Sequence, residues 1–512
     1  MLAAALPSIP PRGTPQSLQQ PNYNILSHVA CRISTLKTTA VHEMRIRGPK
    51  EEGQQIRREF VHPTYTIVRI VIAALTSLCT MTVTLASAIF ATAIPSLIRI
   101  YGTTREIGLL GVALYVLGFA FGPLVWAALS EIKGRYLPFI ASMFLFIIFS
   151  VATGASNNIG LILFFRFLGG FFGAGPLTLS APIYADMFTG RSLGIAMVSF
   201  AFVVFLGPVI SQPIGGFIVE NPSLGWRWTE YICAVLGAVI LIPTSMVLEE
   251  SYAPVLQKRA ARRARLEAKD DANGISHEEV KLSFKTILSD FVARPLTMLL
   301  RDPIVLLMSI YGSFVYALLY LFLVGYPTVF QHIYHMRPGV GGLPALALIV
   351  GEVCAVLAIF AMQPWIMRKA KQNQGVLLPE WQLPVAVPGS IAFAVGILWF
   401  GWSGYQGTVH WIVPTLSGIL SGFGLLATFI PSISYLTQAR AERATSAVAA
   451  HTMLRSFCAA GFPMFATYMY EDLGVQWAST LLGGIALLLT PVPILLYIYG
   501  SRLRSHKSVG AV

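Results

Sequence analysis

Charge is what this chain has least of: Asp, Glu, Lys and Arg make up 12% of its 512 residues, about half the share in a soluble domain. That shortage excludes a water-solvated globule. Its five cysteines (Cys31, Cys79, Cys233, Cys354, Cys458) are scattered with no repeated spacing, so neither a disulfide framework nor a thiolate metal site is encoded. No GxxxxGK[ST] run occurs, which excludes an ATP-driven pump of the phosphate-loop kind. Asn-x-Ser/Thr acceptors are missing too, since Pro222 follows Asn221. No stretch gathers a nucleophile, a base and metal ligands, so the sequence reads as no enzyme and calls for no cofactor.

Apolar side chains fill the gap, at 55% of residues with a mean hydropathy of +0.67. They fall into twelve stretches, most of them near the roughly 20 residues that cross about 30 Å of hydrocarbon. The first six are Ile70–Ala91, Ile107–Leu129, Leu137–Ala155, Ile159–Ile183, Leu193–Val219 and Tyr231–Leu248. The second six are Pro303–Tyr326, Leu343–Met362, Pro384–Phe400, Val409–Ile430, Ser446–Met469 and Gln476–Ile498. This predicts an all-α membrane protein of twelve transmembrane helices in two six-helix halves, over 67–248 and 303–499. A disordered cytoplasmic tail is expected over 1–66, a cytoplasmic linker over 249–302 and a second tail over 500–512. The first 42 residues lack acidic side chains, a composition shared with organellar transit segments, but their low hydrophobicity and Pro/Gln content favour disorder. Within the linker, the helix formers after Arg263 predict a short helix.

A net charge of +13 would draw a soluble protein to nucleic acid, but here the location of the charges decides. Lys133, Arg135, Arg191, Arg368, Lys369, Lys371, Arg440, Arg443, Arg502, Arg504 and Lys507 fall on one side, against Arg99, Arg105, Arg227 and Arg337 on the other. The basic side is the cytoplasmic one, which puts both termini and the linker inside. The partner implied is a lipid bilayer.

Assigning every other charge to a tail, loop or span edge leaves Arg166, Arg455 and Glu352 within hydrocarbon. Such residues are costly and usually face a cavity or a partner. Glu352 and Arg455 each lie nine residues into their spans, about 14 Å deep at 1.5 Å per residue. A direct pair is allowed by depth; a permanent structural pair, or two separate wet pockets, fit the sequence equally. Arg166 stands alone in RFLGGFFGAGP and needs acceptors, which helix carbonyls, a substrate anion or a transiently ionised carboxylate would supply. His332 and His335 have a two-ligand spacing without a third ligand, and no metal is expected there.

Glycines and prolines crowd spans four and five, where they permit close helix approach and bending. The arrangement resembles the major facilitator superfamily, and within it the twelve-span fungal drug:proton antiporters, over about Val68 to Ser508. GPLVWAALSEIKGRY resembles the loop signature after span two, with Glu131, Gly134 and Arg135 in matching places and Ala127, Ile132 and Tyr136 departing from it. The signature implies a charge latch between helix ends. Arg166 falls on the span-four arginine that the family associates with proton coupling. LGPVISQPIGGFI resembles the antiporter signature of span five through Gly194, Gly207, Pro208, Gly215 and Gly216, whereas Val203 and Ser211 depart from it. LEESYAPVLQKRA and LRSFCAAGFPMFATYMYEDLGVQWASTLLG, which includes Arg455, are further matches.

The resemblance implies a proton-coupled exporter of small organic compounds, such as a drug, toxin, secondary metabolite or polyamine. Arg166 would sense the proton, while Glu352, Asp186 and Glu131 would carry it or gate. Cavity-lining spans in this family place Trp126, Tyr115, Gln212, Tyr311, Tyr316, Tyr320, Tyr326 and His451 as substrate-binding candidates; rings suit flat apolar or cationic compounds. A monomer in the plasma membrane, rather than the vacuolar one, is expected on the same resemblance. The alternatives are an importer of a small nutrient and a membrane receptor that uses the fold without turnover.

Overall fold

A computed structural model describes residues 63–257, 293–440 and 443–505. The tail before residue 63 and the helix expected after Arg263 lie outside the described residues. From Val68 onward the chain forms one compact unit. Its first six crossings are α1 (Pro63–Ile89), α2 (Arg105–Lys133), α3 (Tyr136–Ala155), α4 (Ile159–Met187), α5 (Gly190–Glu220) and α6 (Trp228–Val247). α1 continues through a tighter turn at Phe90–Ala93 into Ile94–Tyr101, ten residues past the expected end.

The second set comprises α7 (Pro303–Tyr326), α8 (Leu346–Gln372), α9 (Ala386–Gly404), α10 (Ile412–Ala439), α11 (Ala444–Leu489) and α12 (Pro491–Ser505). α11 is helical on both sides of Gly474, whose φ of 74° breaks it; only glycine enters that left-handed region without strain. Past the break the chain turns back along α9, where Gly401 meets Ser479 and Gly483 meets Leu398. The eleventh crossing therefore ends at Gly474, and the twelfth is the remainder of α11 together with α12. Eleven long apolar helical stretches thus supply twelve crossings.

Local chemistry fixes several helix starts. Asp302 accepts hydrogen bonds from the Ile304 and Val305 amides at 3.0 and 3.4 Å ahead of Pro303, a cap followed by the residue best suited to the first helical turn. Asn158 accepts from Gly160 N at 2.8 Å to start α4.

The two halves repeat the same close packings. A Cβ on Gly122 of α2 would lie 2.6 Å from Phe171 O of α4, and one on Gly422 of α10 would lie 2.7 Å from the Leu348 carbonyl carbon of α8. α2 against α4 and α8 against α10 thus pack backbone on backbone in corresponding places, the internal repeat found in transporter folds.

Candidate functional site

Arg166 is held in the first half by four acceptors. Its Nε donates to Gly111 O at 3.1 Å, Nη1 to Ala86 O at 2.8 Å and Nη2 to Ser87 O at 3.2 Å. Nη1 also meets Glu230 Oε1 at 3.2 Å, with both side chains only 1% exposed. The guanidinium lies 4.2 Å from the Tyr115 ring centroid and 4.6 Å from that of Phe90. Arg166 is therefore not alone, and Glu230 joins the buried charges. Sequence places Glu230 at the outer edge of span six, where water ordinarily solvates a carboxylate; here it is buried against Arg166 of α4 instead.

The second half holds a different arrangement. Arg455 of α11 does not pair with Glu352. Its guanidinium lies 4.7 Å from the Tyr316 centroid and 5.2 Å from that of Phe429, and among the described residues its Nε has no hydrogen-bond partner. Both Glu352 oxygens are likewise buried without one. Similar depth did not bring the two together, because each helix also sets the direction in which a side chain leaves it. Phe205 of α5 completes the ring cluster, 5.8 Å from Tyr316 and 4.7 Å from Phe429. His451, one turn before Arg455, packs on Gly312 and Phe429, and neither ring nitrogen has a partner among the described residues.

The two clusters are linked. Ser87, whose carbonyl accepts from Arg166, has its hydroxyl 2.8 Å from Tyr320 Oη across the interface between halves. The Tyr320 ring packs edge-on to Tyr316 at 5.4 Å.

At the inner end, as the loop charges orient the molecule, Arg135 meets Asp186 at 3.4 Å and donates to Ser130 Oγ at 2.7 Å. Glu250 accepts from the Arg135 and Tyr136 amides at 2.7 and 3.3 Å, capping the start of α3. A Cβ on Gly134 would lie 2.8 Å from Glu250 Oε1, which explains glycine there: any side chain would push Glu250 off the helix start. Glu131 sits exposed at the end of α2. In the second half Asp302 pairs with Arg440 and Glu380 with Arg504. Each of these contacts ties helices of one half to each other.

The outer end is where the halves meet. A Cβ on Gly216 would lie 2.7 Å from the Pro338 carbonyl carbon, and one on Gly342 would lie 2.7 Å from Gln212 backbone. Around this seam run Arg337–Glu220 at 3.8 Å, Arg105–Glu471 at 3.4 Å and a Tyr468 hydroxyl donating to Glu106 at 3.0 Å. Just inside it, a cavity of 10 Å³ is lined by Pro208, Gln212, Leu319 and Tyr326, room for a single water. The Gln212 side-chain nitrogen has no partner.

The predicted binding residues therefore separate. Tyr316, Tyr320 and His451 gather at the Arg455 cluster, and Gln212 and Tyr326 line the small cavity. Tyr115 donates to Val83 O at 3.0 Å and belongs to the Arg166 cluster. Trp126 donates to Phe171 O at 2.9 Å as a link between α2 and α4. Tyr311 turns toward Ser390 and Thr428 within its own half. Of the span-five motif, Gly207 lets α5 approach Leu85 N of α1, Gly215 packs on Ile89, Pro208 lines the cavity and Gly216 forms the seam, whereas a Cβ on Gly194 would meet nothing.

Two repeated sets of six crossings, with a buried arginine cluster in each, define a multi-pass membrane transporter rather than an enzyme. The chain belongs to the Major Facilitator Superfamily, which it matches over residues 76–463. It is 40% identical over 439 residues, covering 86% of this chain and 81% of the relative, to an uncharacterized transporter of Schizosaccharomyces pombe. It is 38% identical over 448 residues, 87% of this chain and 73% of the relative, to the multidrug transporter FLU1 of Candida albicans. The proton:xylose symporter XylE shares the fold at a TM-score of 0.62 and 16% identity, over 85% of this chain and 96% of that one.

Proposed function

We propose that the protein is a proton-coupled exporter of small organic compounds, as a monomer in the plasma membrane. The observation that carries this reading is the buried Arg166–Glu230 pair, bonded through the α1 carbonyls to the seam between the halves. A proton taken up by Glu230 removes the charge that Arg166 faces. The guanidinium then leans on the Ala86 and Ser87 carbonyls, and the strain passes to α1 and to Tyr320. A carboxylate and an arginine buried together form a two-state element of this kind, because either partner left alone is costly.

Asp186 with Arg135, and Glu131 near them, act in this reading as the inner latch, and Glu352 is a second carboxylate for the proton path. The name of the Candida relative, a multidrug transporter, supports export over import, as do the closely packed glycines of α5.

The test is flux in proteoliposomes under an imposed proton gradient, with compounds to which overexpressing cells become tolerant. Gradient-dependent movement that Arg166→Ala abolishes at normal protein level is the expected result. Flux indifferent to the gradient would sink the reading.

A further inference from the structure

The Arg455 cluster carries more than the export reading uses. A guanidinium holds its charge at any pH a cell meets, and in a bilayer core such a charge normally finds a carboxylate or several carbonyls. Arg455 has neither: among the described residues no carboxylate comes within ion-pair distance, Nε has no hydrogen-bond partner, and the rings of Tyr316 and Phe429 face its guanidinium. Of the buried acids, Glu230, Asp302 and Glu380 are each engaged with another arginine, Arg166, Arg440 and Arg504 respectively. One turn away on the same helix face, His451 has two ring nitrogens without partners. Both side chains are more than nine-tenths buried; Arg455 lies on Tyr316 and Phe429 and His451 on Phe429, and Phe205 packs against both rings, so that α7, α10 and α5, and with them both halves, meet at the cluster. Unpaired donors beside flat ring faces, at the seam that alternating access must open, have the make-up of a binding site closed on itself.

We infer that this cluster is the seat of a planar aromatic acid, its ring taking the place of the guanidinium against Tyr316 and Phe429, and its carboxylate receiving the hydrogen bonds of Arg455. The assignment rests on the export reading for its transport consequence and on the geometry alone for its binding consequence. It reverses the expectation that these rings serve organic cations. Their faces already hold a cation belonging to the protein, and a second positive charge at about 4–5 Å would be repelled with nothing nearby to offset it. Arg455 therefore sets the order of preference as anion, then neutral, then cation.

Three probes on one ring system test this: 2-naphthoate, 2-naphthamide and 2-naphthyltrimethylammonium. Binding to purified full-length protein in detergent is read by titration of its thermal midpoint. The wild type should bind the naphthoate about tenfold or more tightly than the ammonium compound, as one charge-assisted hydrogen-bonded pair implies. Arg455→Gln should bring the three within about threefold of one another, while Arg455→Lys, which keeps the charge, retains the order. Equal or reversed preference in the wild type overturns the assignment, as does binding of none of the three, or an order unchanged in Arg455→Gln. The wild-type series stands even where a variant fails to fold. Proteoliposome flux separates the two readings: naphthoate that binds but is never moved by the gradient counts against export alone, whereas an ammonium probe bound and exported in preference counts against the assignment alone.

Discussion

Ser87 of α1 and Tyr320 of α7 share a hydrogen bond of 2.8 Å between the two halves. Because the Ser87 hydroxyl spends its one proton on Thr84 O at 2.6 Å, the tyrosine is the donor. The bond connects the carbonyl bearer of Arg166 to the ring that packs on Tyr316, and through it to Arg455. The two buried arginines are thus joined by contacts in which each neighbour touches the next.

Removing one end of that bond should cost more than removing both. Ser87→Ala leaves a buried Tyr320 hydroxyl without an acceptor, at about 1–3 kcal/mol, whereas Ser87→Ala with Tyr320→Phe should be near neutral. Thermal unfolding of the single and double variants checks this. The double variant should still bind substrate but lose most of its response to a proton gradient.

The Arg166–Glu230 pair predicts a similar separation of stability from function. Arg166→Met strands a carboxylate and should destabilise by about 3–5 kcal/mol. Arg166→Met with Glu230→Leu should restore most of that stability, yet show no gradient-driven flux. A double variant that transports normally would confine the pair to a structural role.

Gly216 tests the seam. A side chain there meets the backbone of Pro338 and Gly339, at 2.7 and 2.9 Å for Cβ alone, and backbone cannot swing aside as a flexible side chain would. Gly216→Val should hold the outer ends apart. A cysteine in place of Gln212, buried just inside the seam, should then react several-fold faster with a membrane-impermeant maleimide than it does beside the native glycine.

Glu250 is expected to act as the cap of α3 from outside that helix. Glu250→Ala frees the Arg135 and Tyr136 amides and should lower stability by about 1–2 kcal/mol, the usual cost of a lost cap. Thermal unfolding reads it, and Gly134→Ala, which displaces the same carboxylate, should match it in direction.

The span pattern carried most of the fold, because a bilayer imposes length directly on sequence. Arg166 was legible for the same reason: a charge amid Phe and Gly cannot be a surface residue. Glu230 was not, since its partner Arg166 is distant in sequence and its position at a span edge reads as solvated. Arg455 and Glu352 are legible singly, and sequence leaves open whether they pair or lie apart; the structure keeps them apart. Depth follows from counting residues, whereas the direction a side chain takes around its helix depends on how the helices pack. The last two spans, ending at Met469 and starting at Gln476, fall on either side of the Gly474 break, although helix runs up to it from both directions.

The outer seam has a bearing on the medium in which this transporter works. Its ion pairs are exposed, with Arg337 82% accessible, and dissolved salt weakens exposed charges. Its core is glycine backbone laid against backbone, which ions in solution do not touch. The resting orientation is therefore set by shape, and a cell moved from dilute to concentrated surroundings would keep this face of its exporters shut without adjusting anything.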